Sequence, residues 1–85
     1  MIQFSYVIHD ELGMHARPAG LLAKLAAGYK SSVKIKCGRG DADAKRLISL
    51  MKLGIQQNDE AEFTVEGDDE EEAAAAVQKF VQENL

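Results

Sequence analysis

"IQFSYVIHDELGMHARPAGLLAKLAAG", Ile2 to Gly28, contains a change of period that decides the fold. Over Ile2–Ile8 apolar and polar residues alternate. Ile2, Phe4, Tyr6 and Ile8 fall on one face, and Gln3, Ser5 and Val7 on the other. A period of two is that of a strand with one face buried. From Ala16 to Ala27 the period becomes helical, with Ala19, Leu22, Ala23 and Ala26 recurring as a core stripe and Gly28 suited to the C-cap. The "HDELG" between them predicts a loop.

The same two periods recur downstream. "SVKIKC" alternates, with Val33, Ile35 and Cys37 inward and Lys34 and Lys36 outward. "GRG" predicts a tight turn into a short strand, Asp41 to Asp43. "AKRLISLMKLG" predicts a short helix closed by Gly54. "EAEFTVEG" predicts a strand with Ala61, Phe63 and Val65 inward. Asp68 to Asn84 predicts a helix whose acidic start suits the positive end of the helix dipole and whose apolar stripe is Ala73, Ala74, Val77, Phe80 and Val81. The order is β-α-β-β-α-β-α. Four amphipathic strands and three helices with one apolar stripe each give an α+β, two-layer open-faced sandwich. Its four-stranded, mostly antiparallel sheet is covered by the helices on one face and leaves Lys34, Lys36, Glu62, Thr64 and Glu66 on the other.

Bulk properties narrow the function classes. Eighty-five residues, 46% hydrophobic and 28% charged, suit one folded domain over residues 1–85 with a thin core. Cys37 is the only cysteine, so no intramolecular disulfide forms and a reducing, cytoplasmic setting fits. No apolar run approaches the ~18 residues that span a bilayer, and the N-terminal residues lack the pattern of a signal peptide. Residues 1–56 carry nine basic and four acidic residues, while residues 57–85 carry one and ten. This split fits either an acidic solvated helix beside ordinary surface lysines or an electropositive face for acidic protein partners. With no Trp and no interleaving of basic and aromatic residues, nucleic acid is not a predicted partner.

The chemistry concentrates at "GMHARPAG", Gly13 to Gly20. A helix beginning at Ala16 makes His15 its N-cap and puts Pro18 in the first turn, where a missing N–H costs nothing. Free backbone N–H groups of Ala16 and Arg17 then surround the His15 ring, and Arg17 adds a fork of donors suited to phosphate. The dipole disfavours an imidazolium here, which leaves a ring lone pair available as a nucleophile. The residues fit phosphoryl transfer with His15 as a temporary acceptor, and equally a histidine that only caps a helix beside a surface arginine. No glycine-rich nucleotide loop and no acidic metal cluster is present, so no cofactor and no metal are predicted. His9, at the end of a strand, has no ligand spacing around it. Cys37 reads as core.

Gly13-Met14-His15-Ala16-Arg17-Pro18-Ala19 resembles the active-site pattern of the histidine-containing phosphocarrier (HPr) family of the bacterial phosphotransferase system. "GRGDADAKRLISLMKLGI" resembles its second-helix segment, and length and element order agree along the chain. The resemblance implies a carrier and not an enzyme. Enzyme I passes phosphate from phosphoenolpyruvate to His15, Arg17 stabilises it, and an enzyme IIA domain receives it during sugar uptake. It also implies one docking surface for both partners, at Gly20, Leu21, Lys24, Ala27, Leu47, Ile48, Met51 and Lys52, and a monomer with no membrane insertion. Leu21 and Ile48 lie off the core stripes of their helices, and Lys24, Lys45, Arg46 and Lys52 ring them. Leu47, Met51 and Ile48 as core filler is the competing reading. A regulatory phosphocarrier or a non-transferring adaptor using the same surface is the alternative function. Two positions depart from the family pattern. Arg46 replaces a serine that many members use for regulatory phosphorylation, and Leu12 replaces a polar residue.

Overall fold

A computed structural model describes residues 1–85 as β1 (Ile2–Val7), α1 (Ala16–Ala27), β2 (Ser32–Cys37), β3 (Gly40–Asp43), α2 (Leu47–Leu53), β4 (Glu60–Glu66) and α3 (Glu70–Asn84). The strands form one sheet in the order β1-β4-β2-β3, and every neighbouring pair is antiparallel. β4 is central because it is apolar at every inward position: Ala61, Phe63 and Val65 are all fully buried. Phe63 lies opposite Phe4 on one side and Ile35 on the other, and its ring stacks on Phe4 at 4.9 Å. Lys34, Lys36, Glu62 and Glu66 are exposed on the open face. Leu22 and Ala26 of α1, Leu50 of α2, and Ala73, Val77 and Val81 of α3 close the core from the other side.

Two helices start later than their sequence pattern predicts, and an aspartate explains each. α2 begins at Leu47 because Ala44, just past β3, is still tied to β2, its N–H donating to the Val33 carbonyl at 2.8 Å. Asp43 then turns the chain. Its carboxylate accepts the Lys45 N–H at 2.9 Å, and its carbonyl accepts the Arg46 N–H at 3.0 Å. α3 begins at Glu70 because Asp69 points away from its own helix. The Asp69 carboxylate accepts the Ser31 hydroxyl at 2.5 Å and the Lys30 and Ser31 N–H groups at 2.9 Å. The Ser31 hydroxyl bond, followed by those backbone donors, holds the Asp69 carboxyl down at about 2.

Candidate functional site

The segment between β1 and α1 is held from both ends of its turn. The Asp10 carboxylate accepts the Leu12 N–H at 2.8 Å and the Asp10 carbonyl accepts the Gly13 N–H at 2.9 Å, a turn that aspartate builds readily. Gly13 has φ +65°, the left-handed region. The Met14 N–H donates to the Ile55 carbonyl at 3.0 Å, and the Met14 side chain is buried. These contacts fix the backbone up to His15.

His15 is the N-cap of α1, with extended backbone and no bond from its ring to the helix. Its carbonyl accepts the Ala19 N–H at 3.0 Å. The N–H groups of Ala16 and Arg17 have no hydrogen-bond partner, and Pro18 has none to offer. The Arg17 guanidinium is exposed and free of ion pairs. The ion pairs present join Met1 to Glu70, Arg39 to Asp59 and Arg46 to Asp43, while the His15 ring has the Asp10 carboxylate 3.9 Å from its Nε2. The predicted placement of His15, Arg17 and Pro18 at one helix start therefore matches what the chain does. It leaves unpaired donors around a solvent-accessible imidazole, an arrangement that favours an anion.

Asp10, His15, Arg17, Pro18, Leu21 and Asn84 line one open depression. Asp10 and Asn84 are not visible as site residues in the sequence. Asn84 comes from the far end of the chain, and no local pattern marks it. Asp10 belongs to the loop before α1, whose turn at Leu12 and Gly13 brings its Oδ2 to 3.9 Å from His15 Nε2. His9 stands apart, exposed, with its ring edge-on to Tyr6 at 5.6 Å. No group of three or more His, Cys, Asp or Glu side chains gathers to hold a metal.

The competing readings for the helix surface separate clearly. In α2 the core positions are Leu50 and Leu53, whereas Leu47, Ile48 and Met51 are 38%, 65% and 44% exposed. Leu21 of α1 is also exposed and reaches the depression beside His15. Lys24, Ala27 and Lys52 are exposed and Gly20 is half-buried. Lys45 leaves the basic rim: its Nζ donates to the Tyr29 carbonyl at 3.0 Å and is partly buried. Arg46 stays exposed, its Nε 3.9 Å from Asp43. Leu12 is largely exposed.

Arg39 is a structural contributor that the sequence does not announce. Its Nε donates to the Leu53 carbonyl at 3.1 Å, and a terminal nitrogen donates to the Gly54 carbonyl at 2.8 Å and to Asp59. It thus satisfies the open carbonyls at the C-terminus of α2. Asp59 also accepts the Gln56 N–H at 2.8 Å, and that bond, with the Arg39 guanidinium, holds its carboxyl below the usual range. The loop so clamped carries the Ile55 carbonyl that anchors Met14.

Known proteins resemble this chain along nearly its whole length. Residues 2–83 match the family model described as "PTS HPr component phosphorylation site". The phosphocarrier protein HPr of Mycoplasma genitalium is 42% identical over 85 residues, covering 99% of this chain and 97% of that protein. A solved histidine-containing phosphocarrier protein from a mycoplasma superposes with a TM-score of 0.91 at 30% identity, over 93% of this chain and 90% of that one. Crh of Bacillus subtilis, a catabolite repression protein solved as a domain-swapped dimer, gives a TM-score of 0.77 at 29% identity over 100% and 98% of the two chains.

Proposed function

The chain belongs to the HPr family of phosphocarriers of the phosphotransferase system, and on that premise we propose that His15 is the residue that carries the phosphoryl group. Enzyme I, charged by phosphoenolpyruvate, is the donor, and an enzyme IIA domain is the acceptor. One observation carries this reading: an accessible imidazole at the N-cap of α1 faces two unpartnered N–H groups and an unpaired arginine. A ring lone pair forms the new N–P bond as the donor's bond to phosphorus breaks. The incoming oxygens then meet the Ala16 and Arg17 N–H groups and the Arg17 guanidinium, so charge is neutralised where it arrives. The protein ends each cycle unchanged, as a carrier does.

Docking of both partners is assigned to Gly20, Leu21, Lys24, Ala27, Leu47, Ile48, Met51 and Lys52. Exposed apolar side chains beside the reacting ring, rimmed by Lys24, Arg46 and Lys52, suit a modest transient interface with an acidic partner. Site and surface come from one copy of the chain, which supports action as a monomer. No helix is long and apolar enough to cross a membrane. Arg46 cannot be phosphorylated as a serine could, so regulation by that route is absent from this reading.

The test is incubation with phosphoenolpyruvate and enzyme I, followed by phosphorus NMR. An acid-labile phosphohistidine on the wild type and none on His15→Ala is the expected result. Equal label on both, or none on either, overturns the proposal. In the second case, enzyme I capture without label would favour the adaptor reading.

A further inference from the structure

We propose that the outer edge of β1 pairs with the same edge of a second copy of this chain, joining two sheets into one. β1 is an edge strand whose only neighbour is β4. The Ile8 N–H donates to the Asp59 carbonyl at 3.0 Å, which fixes the phase of the ladder. Ile2, Phe4, Tyr6 and Ile8 therefore turn their backbone groups toward β4, and Gln3, Ser5 and Val7 turn theirs outward. None of the turn, loop or cap hydrogen bonds reaches the N–H or C=O of those three residues. Edge strands are ordinarily blunted by charges or a proline. Ile2–Ile8 carries no charged residue, no proline and no glycine. β3, the opposite edge, is short and carries Asp41 and Asp43.

The free backbone groups select both the occupant and the register. An antiparallel pair about a two-fold axis at Ser5 sets Ser5 against its own counterpart and Gln3 against Val7. Every outward N–H and C=O on both strands then finds a partner, whereas a slip by two residues strands groups at the ends. On the inner face the same register sets Phe4 against Tyr6 and Ile2 against Ile8. Ile2, Phe4 and Tyr6 are only half-buried in a single copy. They fall at the closer, non-hydrogen-bonded positions, where aromatic cross-strand pairs stabilise a sheet. α3 packs on β1 and β4 alike. Two α3 helices would stand roughly 10 Å apart across the axis, a normal helix contact distance. Glu62, opposite Ser5 on β4, would lie three strand spacings from its counterpart, about 14 Å, beyond the screening length at physiological salt. The pairing uses no residue of α1, of α2 or of the depression around His15, so the reaction proposed above is left to each copy separately.

Sedimentation equilibrium from about 10 µM to about 1 mM, the range of a weak interface, should show a reversible shift from one copy to two. Over the same range the amides of Gln3, Ser5 and Val7 should go from free exchange with solvent to exchange about tenfold slower. Ser5→Lys sets two ammonium groups against each other at the axis and should weaken association about tenfold or more. Within one copy the new charge faces the exposed Glu62, so the fold holds. Ser5→Thr, which adds no charge and suits a strand, should associate as the wild type does. A single species throughout the range overturns the inference. So does a dimer that survives Ser5→Lys, or one whose Ser5 amide still exchanges freely, since either is built on another surface or by exchange of whole strands.

Discussion

Gly13 approaches Ile55 so closely that a side-chain carbon on it would lie 2.3 Å from the Ile55 carbonyl oxygen and 2.7 Å from the Gln56 Cα. Both neighbours are backbone, so neither can swing aside, and the φ of +65° is costly for any other residue. The glycine is therefore what lets the loop before His15 press against the loop after α2. Gly13→Ala should cost about 2 kcal/mol or more from the backbone conformation and the clash together. For a domain of this size that lowers the melting temperature by roughly 10 °C. The rate of phosphorylation should fall further than stability, because the displaced atoms lead directly to Met14 and His15. Calorimetry and a transfer assay on the same sample check both.

Arg39 and Asp59 act on the same contact from behind. They fix the loop that presents the Ile55 carbonyl, and the Met14 N–H depends on that carbonyl. Arg39→Ala should lower the urea midpoint and speed hydrogen exchange at the Met14 amide by more than at amides in the centre of β4. Arg39→Lys should recover the ion pair with Asp59 without the fork that reaches two carbonyls, so its exchange rate should lie between the two. Equal acceleration at every amide would mean that Arg39 contributes only to global stability.

Much of this arrangement was legible in the sequence wherever periodicity could speak. Alternation located all the inward residues of β2 and β4, and the off-stripe positions of Leu21 and Ile48 marked exposed apolar side chains. The boundaries of α1 follow from Pro18, Gly28 and the core stripe. What the sequence withheld depends on chain-distant partners. The Arg39 clamp joins a hairpin turn to a loop on another layer, and Lys45 reaches back to the end of α1. Asn84 lines the depression only because α3 returns to β1. The late start of α2 has a local cause, since Asp43 takes the Lys45 N–H; that of α3 is again chain-distant, because the Asp69 carboxylate is bonded to Lys30 and Ser31. An aspartate before a helical stripe carries that signal.

Asp69 should make stability sensitive to acid. Its folded carboxyl titrates at about 2 against an ordinary value of 3.8. A lowered value in the folded state means that the stabilisation is complete above the unfolded value and is lost as pH falls through the folded one. Stability should therefore decline between about pH 4 and pH 2 as the bonds to Ser31 and Lys30 lose their charged acceptor. Asp59 and Glu70, also lowered, add in the same direction. Asp69→Asn should flatten that decline while lowering stability at neutral pH, because the fully buried Ser31 loses its charged partner. Urea titrations from about pH 7 down to pH 2 on both proteins measure it; parallel curves would remove Asp69 as the cause.

Ile48 separates docking from folding. It is 65% exposed on α2, makes no part of the core cluster, and lies among Leu47, Met51 and Lys52. Ile48→Glu should change stability by no more than about 0.5 kcal/mol, as for other surface positions away from caps and cores. In an interface with an acidic partner the same change removes apolar contact area and adds a like charge, so enzyme I affinity should fall by about tenfold or more. The loss should appear in KM for the carrier, with the rate at saturation nearly kept, because His15 and Arg17 are untouched. Ile48→Ala, which removes the contact without the charge, should lose less and show weaker salt dependence. A maximal rate that falls while KM holds would place Ile48 in the orientation of the reacting groups, and an unchanged affinity would remove this face of α2 from the docking surface.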